Sequence, residues 1–263
     1  MKRIILVLML VLIGGAPALA APVQTKASAS TRSQLSALTP LRLERASVLD
    51  AGTLALNAGL AVEFDREVAG FEYDNIRLAP LGVRFGAARD LEVGAYLAFS
   101  ANDANEPFAP DESGLEGLTL FGKVALNDYA ALQFGLTALG ADDVAPYPND
   151  GLDLFVNLPL ERRIGPGLLY GELGYTVQGG DFDVSNYINY GLGFGMPLVD
   201  GLAVNIELAG EEAQIGTGSN TLDLTLGVNL VLADQLRLAP FIALGLYDAS
   251  PDFATGVAVE MRF

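Results

Sequence analysis

From Gly52 to the last residue, apolar side chains recur at every second position. This is the pattern of β-strands with one apolar face and one polar face. The first run sets Leu54, Leu56, Ala58, Leu60, Val62 and Phe64 against Asn57, Gly59 and Glu63. The clearest sets Leu222, Leu224, Leu226, Val228, Leu230 and Leu232 against Asp223, Thr225 and Asn229. In the run from Tyr73 to Gly86 the parity slips by one at Ala79-Pro80, which predicts a β-bulge, a place where proline is tolerated. Twelve such runs are predicted, and the last ends on Phe263, with Val257, Val259, Met261 and Phe263 on one face and Gly256, Ala258, Glu260 and Arg262 on the other.

The connections between runs alternate in length. Long acidic or polar stretches are expected at Asp65–Asp74, Ala101–Gly114, Ala141–Asp150, Gln178–Asn186, Glu211–Asn220 and Tyr247–Phe253. Short turns are expected at Ala87–Asp90, Asn127–Ala130, Arg162–Gly167, Pro197–Gly201 and Ala233–Gln235. An even number of amphipathic strands, with short turns at one end and longer loops at the other, is the plan of outer-membrane barrels. A soluble sandwich carrying a binding site would bury its apolar face against a second sheet and gives no reason for the alternation. The fold expected is therefore all-β, a transmembrane antiparallel up-and-down β-barrel of twelve strands spanning residues 52–263 in the bacterial outer membrane. Phe64, Phe99, Tyr175 and Tyr247 fall at loop-side strand ends, and Phe85, Tyr129 and Phe263 near the turns, as interfacial girdles would.

The N-terminus fits export. Lys2 and Arg3 precede the apolar run Ile4–Ile13, and Ala18-Leu19-Ala20 supplies a small-residue cleavage site, so residues 1–20 read as a signal peptide. Residues 21–51 show no strong period and read as a periplasmic or lumen-entering segment; in the lumen, Arg42 and Arg45 would meet an acidic interior. No later stretch is long and apolar enough for a transmembrane helix. The chain has no Cys, which leaves neither a lipid anchor on Cys nor a disulfide framework.

Charge narrows the function. The formal net charge of −17 repels a phosphate backbone and excludes nucleic acid as a partner. The acidic loops fit cation enrichment at a channel mouth, shared divalent ions with lipid phosphates, or a saline habitat. Facing inward near the turn side, Arg84, Glu92, Lys123, Glu161, Arg237, Glu260 and Arg262 are expected to pair as a charge network. Glu172, Asn205 and Glu207 fall at mid-height, and Asp153 and Asp223 toward the outer mouth; these are the candidates for solute contact, acids that would disfavour anions.

With no His and no Cys, Ser-His triads, Cys nucleophiles and His- or Cys-ligated metals are excluded, so no enzyme, metal or cofactor is expected. The terminal aromatic on the apolar face of the last strand (Val257, Val259, Met261, Phe263) resembles the insertion signal of outer-membrane barrel proteins, which implies the barrel-assembly machinery and outer-membrane lipid as partners. The stretch Leu49-Asp50-Ala51-Gly52-Thr53-Leu54-Ala55-Leu56 resembles the start of the transporter-like outer-membrane family of the phenol-degradation-pathway type. Pro80–Gly86 followed by Arg89–Gly94 is similar to that family's second hairpin. The resemblance implies a twelve-stranded barrel with a role in solute transport and carries over no substrate residues. The expected function is passive uptake of small solutes; the alternative is a non-conducting structural or surface-interaction barrel.

Overall fold

The computed structural model describes residues 41–68, 71–104, 113–138, 151–179, 186–215 and 219–263. Twelve antiparallel strands close on themselves in sequence order. They are β1 (Leu54–Val68), β2 (Phe71–Ala88), β3 (Leu91–Ala104), β4 (Ser113–Asn127), β5 (Ala130–Ala138), β6 (Asp153–Ile164), β7 (Gly167–Val177), β8 (Asn186–Val199), β9 (Leu202–Ile215), β10 (Thr221–Ala233), β11 (Leu236–Gly245) and β12 (Phe253–Arg262). The seam pairs β1 with β12 from Ala55 opposite Arg262 to Phe64 opposite Phe253, and Leu54 and Phe263 exchange main-chain hydrogen bonds beyond it. Every strand thus has two neighbours and no edge is left open, the condition for backbone to cross hydrocarbon.

Alternation decides which way each side chain points. Leu56, Leu60, Leu97, Leu120, Val156, Leu173, Ile206, Leu226 and Leu244, among many others, are exposed on the outer wall. In water such a continuous apolar belt would be an aggregation hazard; around a closed barrel it is a lipid-facing surface. Phe64 and Phe253 stack across the seam at the loop side, while Phe85, Tyr129 and Phe263 are exposed toward the turn side. The protein is an outer-membrane β-barrel.

All the short connections are two-residue turns (89–90, 128–129, 165–166, 200–201 and 234–235), and both Leu54 and Phe263 lie at that end. The first outer loop is the departure from expectation. Asp65–Asp74 is not a long loop, because β1 and β2 continue to Val68 and Phe71. Its acids are strand residues, Asp65, Glu67 and Glu72 exposed and Asp74 half-buried, with a register shift between Glu63 and Arg66 where Asp65 takes a positive φ and its N–H reaches Asp74 Oδ1 at 3.1 Å. A hairpin can outrun the membrane there, since strand pairing continues in water while the apolar alternation stops. The bulge at Ala79-Pro80 is present as a register shift between Leu78 and Leu81.

Candidate functional site in the lumen

The inward face carries polar and charged groups along its height, interrupted by a few apolar ones, and residues 41–50 lie inside it. Leading back from β1, Leu49 donates its N–H to Glu92 Oε2 on β3 at 2.8 Å. Ala46 and Ser47 donate theirs to Glu161 Oε2 on β6 at 3.1 and 3.4 Å, and the Arg45 guanidinium grips the same carboxylate with two contacts of 2.7 and 3.1 Å. The Glu44 N–H reaches Glu172 on β7 at 3.0 Å. Leu41, Arg42 and Leu43 donate their N–H groups to Glu207 on β9 at 2.8, 2.8 and 3.3 Å, and the Arg42 guanidinium pairs with Asp223 on β10. The segment therefore enters at the turn side and climbs past mid-height, meeting one wall carboxylate after another.

Its apolar residues are seated as well. Leu43 packs with Leu168, Tyr170 and Ala203 in a small buried cluster, and Ala46 and Leu49 are buried too. Two wall glycines make the room. A Cβ on Gly191 would come within 2.2 Å of Leu43 Cδ2, and one on Gly227 within 2.2 Å of Leu41 Cδ1. These positions have to lack a side chain for the two leucines to lie against the wall.

Glu207 is the centre of the arrangement. It is fully buried and accepts, besides the three main-chain N–H groups, the Tyr170 hydroxyl at 2.8 Å and Asn205 Nδ2 at 2.9 Å. A run of successive backbone N–H groups forms a natural cradle for an anion; here the cradle belongs to the segment and the anion to the wall. Asn229 extends the network by donating to Asn205 Oδ1 at 3.2 Å.

Toward the turn side the carboxylates are held largely by side chains of the wall itself. Glu260 pairs with Arg84, with Arg237 at 2.7 Å and with Arg262 at 2.6 Å. Glu92 lies 3.4 Å from Arg84 Nη1 and 3.6 Å from Lys123 Nζ, and Lys123 also reaches Glu44 of the segment at 3.3 Å. Arg84, Glu92, Arg237, Glu260 and Arg262 border a cavity of about 1110 Å³ that runs alongside residues 41–50, together with Tyr96, Tyr129, Arg162 and Arg163. Above it, Arg77 makes a two-pronged pair with Glu116, and Arg66 pairs with Glu63 at 3.2 Å.

The structure thus brings Glu172, Asn205, Glu207 and Asp223 together around residues 41–44. Asp153 stands apart at the outer end of β6, where it accepts the Gly179 N–H at 3.2 Å. Arg84, Glu92, Lys123, Arg237, Glu260 and Arg262 form one turn-side network, whereas Glu161 serves Arg45. Several inward groups are absent from the sequence reading, among them Glu116, Tyr170 and Phe121. Glu116 is turned inward by a register shift between Ala98 and Phe99, which defeats simple parity counting. Tyr170 and Phe121 point inward although aromatic residues favour the lipid face, Phe121 stacking on Tyr96 with ring centroids 5.0 Å apart. Parity with Glu172 and Lys123 is the signal that would have found them.

No protein-family model matches the chain, and no curated protein matches it either. Among solved structures, an outer-membrane channel from Pseudomonas putida F1 is similar at 15% identity and TM-score 0.65, covering 86% of this chain and 100% of that one. The β domain of the Bordetella autotransporter BrkA is similar at 13% identity and TM-score 0.58, covering 81% and 100%. The translocator domain of the autotransporter NalP from Neisseria meningitidis is similar at 14% identity and TM-score 0.53, covering 86% and 90%. The likeness is one of fold, and all three share with this chain the architecture of the bacterial outer-membrane β-barrel.

Proposed function

We propose that this barrel is a channel for small solutes across the outer membrane, with residues 41–50 as its constriction, and that it disfavours anions. The observation that carries the reading is a charged lumen whose obstruction is a segment joined to the wall by hydrogen bonds, ion pairs and a few apolar contacts, alongside a cavity of about 1110 Å³. Charged groups at a constriction select permeants by sign. At mid-height those groups are the carboxylates of Glu172 and Glu207, with Asp223 and its partner Arg42 just above and the pairs Arg66–Glu63 and Arg77–Glu116 higher still, while Arg84, Arg237 and Arg262 gather lower down around Glu260. The fold resembles an outer-membrane channel, and the chain lacks the His and Cys of most hydrolytic centres, so conduction rather than catalysis is the function we infer. The last strand, with Val257, Val259, Met261 and Phe263 on its lipid face, would serve as the insertion signal read by the barrel-assembly machinery.

The hydrogen bonding of the segment favours a second reading, a plugged, non-conducting barrel with a structural or surface role. Planar-bilayer recordings under a salt gradient separate the two. The channel reading predicts discrete openings with a cation-biased reversal potential, weakened when Glu172 and Glu207 are both changed to Gln. Inserted, folded protein without openings supports the plug, and a reversal potential unmoved by the double change removes the role given to these acids.

A further inference from the structure

We propose that Asp223, Thr225 and Glu207 form a binding site for cationic solutes bearing a guanidinium or ammonium group, and that Arg42 is its tethered occupant. The proposal rests on the channel reading and names its solute class. Three observations carry it. First, the wall from β7 to β10 concentrates carboxylates: strand pairing places Glu207 opposite Thr225, and Asp223 opposite Ala209, between Glu207 and Glu211 on the inward face. Glu172 joins them through Gly191, its partner on β8, which in turn faces Ala209. Among these four acids the guanidinium of Arg42 pairs with Asp223. The ion pairs of the other inward cations nearby are with other acids, Arg45 with Glu161, Arg66 with Glu63, Arg77 with Glu116 and Lys123 with Glu44 and Glu92, although Arg66 and Arg77 also act on Glu211 through their charge.

Second, acceptor capacity is left over. Asp223 is 2% exposed and Thr225 1% exposed, yet Asp223 Oδ1 and Thr225 Oγ1 have no hydrogen-bond partner among the described residues. Buried acceptors without donors are unfavourable, and one of them belongs to Asp223, the carboxylate that meets Arg42. A planar cation with a fan of N–H donors can satisfy both carboxylate oxygens and the hydroxyl, where the single contact of Arg42 satisfies one.

Third, the segment itself displays the recognition pattern. It offers main-chain N–H groups to Glu207 and a guanidinium to Asp223, the donors that a free cationic solute would bring. Occupancy by Arg42 is then competition in cis. A solute that binds Asp223 loosens the upper end of the segment, which is a way for the permeant to open its own path.

The test is isothermal titration of the refolded full-length protein in detergent micelles with L-arginine amide, with L-glutamate as the anionic control. Saturable binding of the amide, and none of glutamate, is expected. R42A removes the tethered competitor and should tighten binding about tenfold, since a linked group acts at a high effective concentration. D223N should weaken it by about tenfold or more, and T225V by a smaller factor. Gel mobility with and without boiling verifies that each variant remains a folded barrel. Affinity unchanged in R42A, or retained in D223N, overturns the proposal. A barrel that shows this competition but never conducts keeps the site and loses the channel reading; one that conducts but ignores R42A does the reverse.

Discussion

The two halves of the lumen solve the same electrostatic problem differently. On the turn side, Glu260 is neutralised by three arginines of the wall and Glu92 by Arg84 and Lys123, with Leu49, Glu44 and Arg45 of the segment adding contacts to Glu92, Lys123 and Glu161, so the charges there are balanced largely within the wall. At mid-height, Glu207 and Glu172 receive main-chain N–H groups from residues 41–44, and Asp223 receives Arg42 from the same segment. A carboxylate paired within the wall belongs to the stability of the barrel. A carboxylate whose partners come from a separate segment can lose them without breaking any strand, and so can belong to gating.

The comparison can be broken most severely by removing residues 21–48. The turn-side network keeps its wall partners, so the barrel should still fold and shift on boiling, while single-channel conductance rises several-fold. A truncated barrel that fails to fold would place the segment on the stability side of the division. Next in size is E260Q, which leaves Arg84, Arg237 and Arg262 facing one another. Loss of one partner from a buried charge network costs about 3 kcal/mol, and the wet cavity nearby reduces it, so the urea midpoint should fall with little change in ion preference.

E207Q should do the opposite. It weakens the hold on three N–H groups and removes a charge, at a cost of about 1–3 kcal/mol confined to the segment. Hydrogen exchange of Leu41, Arg42 and Leu43 should accelerate while the strand amides of β9 and β10 stay protected. The smallest and most selective changes are G191A and G227A. A single methyl group would collide with Leu43 or Leu41 and unseat one leucine, a penalty of about 1 kcal/mol that exchange at that residue would report. Equal acceleration along the whole barrel would show that the segment and wall are one cooperative unit.

Much of this architecture is legible in the alternation of residues. Strict period two places the strands, and the apolar set Leu222 to Leu232 could face only lipid once the barrel closes. Alternation fails where backbone geometry changes without a compositional mark, as at Glu116, where a register shift reverses parity. It also misplaces the first outer loop, because acids such as Asp65 and Asp74 read as a loop whether or not their backbone remains paired. The mid-height acids can be named from parity and strand direction alone. Their partners cannot, because residues 41–50 have no period and are held largely through main-chain N–H groups, which every residue except proline possesses. Gly191 and Gly227 show why the seat is equally silent: a glycine on the inward face looks like spacing until Leu43 and Leu41 are found against it.

The central claim is that residues 41–50 set the aperture of an otherwise open lumen. The most direct measurement compares single-channel conductance of the full-length protein with that of the chain lacking residues 21–48, in planar bilayers under a salt gradient. The account predicts small, cation-biased steps for the full chain and several-fold larger steps for the truncated one. Equal conductance in the two, or none in either, would contradict it.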